Sequence, residues 1–414
     1  MPEYRPRLVD AQLARGLRSA GAVLLEGPKA CGKTSTARQQ AVSSVRLDAS
    51  PQVRAVGEAD PNLLLDGETP RLIDEWQLVP GVWNAVRYQV DERQQDGQFI
   101  LTGSATPADD VTRHTGAGRI ARVQMSPMTL HEAGHGTGAV SLAGLFDGAK
   151  PSSFASEADL MTIAELLCRG GWPGNLHREL GDAMNANRDY LTTIAAADII
   201  TVDGVRRDPR KVTALLYALA RSNGTYVTDK TLQADVNGRG ETLAPKTLAS
   251  YLGALCRLWI AVEQPAWGQH MRSAAQVRKA PKRHLVDPSL AVAAVGASPK
   301  ALLADPEAFG QHFESLAFRD LSVYARAFGG SVHAYQDASG AEIDAVVVRD
   351  DQWIGIEVKL GARPEIVDGA AEGLLRIATH MRTRPAALAV VTATGASYQR
   401  PDGVNVISIL DLAP

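Results

Sequence analysis

Three short apolar runs organise the first part of the chain. Ala22-Val-Leu-Leu-Glu26 is continuous rather than alternating, the pattern of a strand buried on both faces of a parallel sheet. Arg71-Leu-Ile-Asp74-Glu75, behind Pro70, and Gln98-Phe-Ile-Leu-Thr102-Gly103-Ser104 read the same way, each passing from apolar residues into acids or small polar ones. The period then becomes helical. Glu157 to Cys168 predicts a helix that Gly170-Gly171 stops, and a second runs from about Arg178 to Ala197. Val212, Leu215, Leu216 and Leu219 mark one face of a helix over 209–222. Thr228 or Asp229 caps a shorter helix, and Pro245 opens another with Leu248, Tyr251, Leu252, Leu255 and Leu258 on one face. Ile260-Ala-Val-Glu263 reads as a strand. A helix starts near Phe309, and β-branched alternation predicts strands over 342–348 and 353–360, joined by a tight turn at Arg349–Gln352. A companion strand lies over 385–392. The expected fold class is α/β: a parallel-sheet domain over 1–135, a helical region over 136–265 and a second α/β domain over 266–414. The Gly, Ala, Ser and Pro of residues 134–157 mark the first boundary.

Composition narrows the function classes. Hydrophobic residues are 45% and charged residues 21% of 414, a globular balance that excludes wholesale disorder. With 43 Lys plus Arg against 46 Asp plus Glu the net charge is −3, so any nucleic-acid surface is a local patch. Cys31, Cys168 and Cys256 are too dispersed for a disulfide scaffold or a cysteine zinc site. No apolar run reaches the roughly 20 residues of a bilayer span, and the expectation is a cytoplasmic protein without membrane contact.

The strand at 22–26 runs directly into Gly27-Pro28-Lys29-Ala30-Cys31-Gly32-Lys33-Thr34, which is G-x-x-x-x-G-K-T, and the breaker-free stretch from Ser35 to Val42 predicts a helix behind it. That order suits phosphate binding. Gly27 and Gly32 let the backbone curl its N–H groups inward, Lys33 reaches the β- and γ-phosphates, and the Thr34 hydroxyl ligates Mg²⁺. The expected nucleotide contacts therefore run from Gly27 through Ser35. Asp74, at the end of a neighbouring strand, suits an outer ligand of the same Mg²⁺. Glu75 beside it suits the base that orients or deprotonates water. Thr102 or Ser104 stands where a third strand's polar end could hydrogen-bond that water.

These segments, followed by GAGRIARVQMSPMTLHE, resemble the bacterial and archaeal predicted ATPases of the AAA-like superfamily, whose members carry an uncharacterised C-terminal region with a nuclease-like core. The resemblance runs through roughly the first 135 residues. It implies ATP and Mg²⁺ as cofactors, Asp74-Glu75 as the second nucleotide motif and Ser104 as the sensor. The family's Leu-x-Gly-Arg falls on Gly116-Ala117-Gly118-Arg119, which makes Arg119 the arginine acting on a γ-phosphate, in its own chain or in a neighbour of a homo-oligomer. Arg113 is a second arginine nearby.

The family also carries a winged helix where the middle helices and the strand at 260–263 lie. Lys246 and Arg257 offer little charge on the last helix, so a DNA contact and a protein-binding role both stay open. Arg272, Arg278, Lys279, Lys282 and Arg283 form a basic cluster that is either a phosphate-backbone contact or a solvated loop.

The second candidate chemistry is C-terminal. A turn centred on Asp350-Asp351 sets Asp344 opposite Glu357 and Glu342 opposite Lys359, with Asp344, Glu357 and Lys359 on one face. Facing carboxylates need a compensating charge. A divalent cation on Asp344 and Glu357 would supply it, with Lys359 placing a water; an ordinary surface hairpin is the alternative. The D…E-x-K spacing resembles the PD-(D/E)xK nuclease-like superfamily, with Glu314 on the preceding helix matching its auxiliary acid. The expectation is an ATPase coupled to a nuclease-like domain acting on DNA or RNA. The alternative is a nucleotide-dependent switch whose degenerate C-terminal fold binds a protein.

Overall fold

The computed structural model describes residues 4–104, 116–154, 158–268, 280–337 and 339–414. Arg113, Arg272, Arg278 and Lys279 lie outside them. The chain divides into two compact units. The first comprises residues 1–127, 197–206 and 254–260; the second comprises 128–196, 207–253 and 261–414.

The first unit is built on five strands: β1 (Ala22–Glu26), β2 (Ser43–Arg46), β3 (Arg71–Asp74), β4 (Phe99–Gly103) and β5 (Ile120–Gln124). They lie in the order β2-β3-β4-β1-β5, all parallel. Every residue of β1 and β4 is buried, which is why both read as unbroken apolar runs. On one face Trp76, Trp83, Val86 and Val90 pack against Leu24, Ile73, Phe99 and Leu101. Because the strands are parallel and in register, the C-terminal ends of β1, β3 and β4 share one sheet edge. That edge brings Gly27, Asp74 and Ser104 together although they are far apart in the chain. The helix behind the glycine-rich loop is Lys33–Arg38, shorter than the pattern suggests, since the chain must turn back into β2 at Ser43.

The second unit joins the expected middle and C-terminal regions. Its short strands β6 (Val140–Ser141) and β7 (Ser152–Ser153) are followed by β8 (Ala261–Gln264) and β9 (Lys282–Leu285). Then come β10 (Ser331–Gln336), β11 (Glu342–Arg349), β12 (Gln352–Lys359), β13 (Ala387–Thr392), β14 (Ser397–Gln399), β15 (Asn405–Ser408) and β16 (Leu412–Ala413). Seven strands form one mixed sheet in the order β10-β11-β12-β13-β15-β14-β7. A boundary at 265 is therefore not observed: β7 pairs with β14 and β6 with β16, so residues from the middle of the chain complete C-terminal sheets. The helices over 160–169, 180–193, 209–221 and 229–238 appear where the apolar faces place them, as does the helix over 245–257, whose last residues are counted with the first unit; Thr228 is the cap, its hydroxyl accepting from the Thr231 amide. β8 and β9 follow as an antiparallel hairpin.

The helix Pro306–Ala327 packs on β10, β11 and β12. On it Arg319 is buried between two carboxylates, 2.8 Å from Asp287 and 2.6 Å from Asp320. Asp320 also accepts from the Leu130 amide and Asp287 from the Gly171 amide. One guanidinium thus ties three separate stretches of the unit to the helix. Arg319→Ala leaves two buried carboxylates without their cation, and we expect a loss of about 3–5 kcal/mol. Denaturant unfolding followed by tryptophan fluorescence measures it; a change below ~1 kcal/mol would mean the triad is not a structural tie.

Candidate functional site

The glycine-rich loop has the expected curl. Gly27 and Gly32 both sit at positive φ, 157° and 109°, and a Cβ on Gly27 would come within 2.1 Å of the Met125 carbonyl oxygen. Arg7 braces the loop by donating to the carbonyls of Cys31 and Ser126, at 2.9 and 2.8 Å. The Lys33 ammonium is buried and donates to the loop's own carbonyls, Gly27 at 2.9 Å and Pro28 at 2.8 Å. Lys29 pairs with Asp198 at 2.5 Å, while Ala30 and Ser35 are exposed.

Asp74, 2% exposed, is the hub beside the loop. Its Oδ1 accepts from the Thr34 hydroxyl at 2.8 Å and from the Thr102 hydroxyl. Thr102 Oγ1 in turn accepts from the Glu75 amide at 3.2 Å, fixing the start of the turn that carries Glu75. Of the two hydroxyls left open by sequence, Thr102 therefore orients Asp74, and Ser104 meets Glu75: Ser104 Oγ donates to Glu75 Oε2 at 3.3 Å. Glu75 adopts φ 59°, a left-handed conformation uncommon for a residue with a Cβ. Thr34 Oγ1 and the Asp74 carboxylate are hard oxygen donors side by side, a set that suits Mg²⁺.

Arg119 stands apart from this constellation. It immediately precedes β5, whose Ile120 aligns with Ala22 at the start of β1. The loop leaves the other end of β1, five residues away, about 16 Å at roughly 3.3 Å per residue. Its guanidinium instead pairs with Asp91 at 2.8 Å, and that pairing holds the Asp91 carboxyl below its usual range. Arg119 thus lies at the opposite sheet edge from its own chain's phosphate loop.

The second cluster is in the other unit. The β11–β12 register is the expected one from Arg349↔Gln352 to Ala345↔Ile356. Beyond that the ladder ends, because the Asp344 carboxylate itself takes the Val358 amide at 2.9 Å. Asp344 and Glu357 are thus not a ladder pair. The expected Glu342–Lys359 pairing is replaced as well: Glu342 pairs with Gln336 of β10, and Lys359 lies 2.7 Å from Glu357 and 4.0 Å from Asp344. Asp344, Glu357 and Lys359 do share one face. Glu314 joins them through a residue that the sequence placed in a basic surface cluster. Lys282, 2% exposed on β9, reaches 2.6 Å from Glu314 and 3.5 Å from Asp344. Neither a solvated loop nor a phosphate contact describes it: β9 turns this side chain inward. Arg283, next along, pairs with Asp229 at 2.7 Å.

Burial and the neighbouring Asp344 push the Glu314 carboxyl up to about 8, against the pull of Lys282. They push Glu357 up to about 7, against Lys359. Burial alone would lower the Lys282 ammonium, but Glu314 and Asp344 outweigh it and hold it above its ordinary range. Three acids thus share two ammonium groups, and Glu314 and Glu357 keep their protons to higher pH than exposed carboxyls do. Among the described residues no three His, Cys, Asp or Glu side chains stand together as a metal-holding group. Asp344 and Glu357 supply two carboxylates, within what Mg²⁺ accepts, but Lys282 and Lys359 already provide counter-charge.

Sequence reasoning missed Gln77 and misread Lys282. Gln77 sits in the short turn Trp76–Leu78 and donates through Nε2 to Glu75 Oε2 and, at 3.3 Å, to Ser104 Oγ. Its place two residues after the paired acids is the one signal that could have found it.

Comparison with known proteins gives three matched segments. Residues 19–134 match a family model described as an AAA domain, 161–301 a domain of unknown function (DUF8612), and 309–412 a domain of unknown function (DUF4143). The uncharacterized proteins Rv2008c of Mycobacterium tuberculosis and Mb2031c of Mycobacterium bovis are each 26% identical over 361 residues, 86% of this chain and 74% of theirs. The Walker-type ATPase PABY2304 of Pyrococcus abyssi is 15% identical with a TM-score of 0.42, over 71% of this chain and 99% of that one. The AAA match spans all the strands and turns that build the first site and supports nucleotide binding there. No described helix is long and apolar enough to cross a membrane.

The raised carboxyls make a signed prediction. Between their ordinary value of 4.5 and about 8 the folded state holds more protons than the unfolded one. Their contribution to stability should therefore be full below about pH 4.5 and be lost as pH rises towards 8, against the opposite trend of the buried His284 and His312, whose lowered pKa values favour the folded state as pH rises. The difference in denaturant midpoint between wild type and Glu314→Gln, measured across the range, isolates that contribution and should fall as pH rises. A difference that does not fall over this window would show that the acids are ionised in the folded protein.

Proposed function

We propose that the first unit binds ATP with Mg²⁺ and hydrolyses it, and that the hydrolysis governs how the second unit's carboxylate–lysine cluster acts on or holds nucleic acid. The observation carrying the first half is the convergence of Thr34 and Thr102 on Asp74 beside the buried Lys33. On binding, the Lys33 ammonium exchanges the Gly27 and Pro28 carbonyls for β- and γ-phosphate oxygens, and loop N–H groups take the rest. Thr34 and Asp74 would hold Mg²⁺, which neutralises charge on the β- and γ-oxygens. Glu75 takes a proton from water as the water oxygen bonds to the γ-phosphorus. The bond from that phosphorus to the β–γ bridging oxygen breaks, and its electron pair leaves on ADP.

For the second unit the D…E-x-K arrangement with Glu314 supports a nuclease-like reading in which Lys359 places a water near Asp344 and Glu357. A specific observation favours a second reading. Lys282 lies between Glu314 and Asp344, close to both. An ammonium there does the neutralising that a metal ion would do, which suits a nucleotide-dependent switch with a non-cutting second unit that binds a protein partner.

Arg119 can serve a γ-phosphate only in another copy of the chain. If it does, turnover per chain should rise with protein concentration, and Arg119→Ala should bind ATP yet hydrolyse poorly. Turnover independent of concentration would rule this out.

For the first unit, Lys33→Ala should abolish ATP binding, whereas Glu75→Gln should keep binding and slow turnover by roughly 10²–10⁴-fold. Isothermal titration and phosphate release measure both, and undiminished hydrolysis by Lys33→Ala would overturn the proposal. For the second unit, Mn²⁺ or Mg²⁺ without nucleotide should raise the melting temperature of Lys33→Ala, in which the first site is disabled. Adding Asp344→Asn and Glu357→Gln should remove that shift. Metal-dependent nicking of DNA or RNA that Lys359→Ala loses would support the nuclease reading; no metal binding and no cleavage would support the switch.

A further inference from the structure

Gln77 has no role in the chemistry described so far, yet it occupies the centre of it. Its Nε2 bonds both partners that define the end of the β3–β4 edge, Glu75 Oε2 and Ser104 Oγ. Ser104 Oγ itself donates to the same Glu75 oxygen, closing a three-membered ring of side chains. The other end of the amide is informative. Gln77 Oε1 is buried and, among the described residues, takes no hydrogen bond. Reversing the amide would not help, since it would set Oε1 against the Glu75 carboxylate. A buried amide oxygen without a donor is unfavourable, so stability alone does not explain a glutamine here. Glu75 Oε1 likewise takes no hydrogen bond among the described residues, because both donors converge on Oε2.

We propose that Gln77 is a positioning residue for Glu75 in ATP hydrolysis. It pins Oε2 with Ser104 and so turns Oε1 towards the reacting water. The inference rests on the hydrolysis reading above and adds to it the residue that aims the base. Glu75 emerges from the strand in a left-handed conformation, which directs its side chain but does not fix its χ angles. Two donors on one oxygen do fix them.

The test is steady-state hydrolysis by the full chain, with kcat and KM resolved and ATP affinity measured separately. Gln77→Ala should lower kcat roughly 10- to 100-fold, because the base is no longer held in a near-attack orientation. KM, ATP affinity and melting temperature should stay close to wild type. Gln77→Glu, which exchanges the Nε2 donor for a carboxylate oxygen beside Glu75, should lower kcat at least as far, again with KM near wild type. Wild-type kcat in Gln77→Ala would overturn the inference. A kcat loss that comes with equally lost ATP affinity or thermal stability would also overturn it and assign Gln77 a structural role. A wild-type chain that binds ATP without hydrolysing it would refute the hydrolysis reading and this inference with it, an outcome distinct from an unaffected variant of an active enzyme.

Discussion

A buried charge has to find its counter-charge, and both units are arranged around that requirement. In the second unit it is met most completely at Arg319, whose guanidinium lies between Asp287 and Asp320 with almost no exposure. Each carboxylate then uses a further oxygen lone pair on a backbone amide, Gly171 or Leu130. The helix Pro306–Ala327 is therefore held at a fixed height over β10–β12. Glu314 is carried on the same helix five residues earlier, so the fixed height also decides that its carboxylate meets Lys282 and Asp344.

In the first unit the same requirement operates through hydroxyls. Asp74 has two threonine hydroxyls as donors, one from the helix behind the phosphate loop and one from β4. These bonds couple three adjacent strands and their loops at a single oxygen. A change in what Thr34 touches is felt at Asp74, and through Thr102 at the Glu75 amide. This gives the edge a means to register an occupant of the loop. The Lys33 ammonium, resting on the loop's own carbonyls, keeps the loop curled in the same conformation.

The two carboxylate sites differ in how their charge is balanced. Asp74 is held by neutral donors, with Arg46 of the same sheet edge 3.7 Å away. The second cluster sets two lysines against three acids inside a desolvated space, and the Glu314 and Glu357 carboxyls rise accordingly. Such a cluster can serve proton-linked or metal-linked chemistry, or can hold a fold in one register. Buried ion pairs are weak evidence for stability by themselves, which is why the variants that remove single members are informative.

Much of this was legible in the chain. β1, β3 and β4, the glycine-rich loop, Asp74 and Glu75, and the β11–β12 turn are written in contiguous stretches, where hydrophobic period and backbone freedom act over a few residues. The Thr228 cap and the apolar helix faces are local in the same sense. What the sequence could not express is which distant residues share a point in space. Lys282 sits in a basic stretch and looks solvated; only the pairing of β8 with β9 turns it inward to Glu314 and Asp344. Arg119 follows the expected motif order, but parallel strand direction sets it at the far edge of the sheet. Gln77 becomes part of the site only because β4 delivers Ser104 beside Glu75. The chain's local chemistry determined the elements and the loop. Tertiary packing alone decided the partners, because an ion pair or hydrogen bond depends on distance in space and not on separation in sequence.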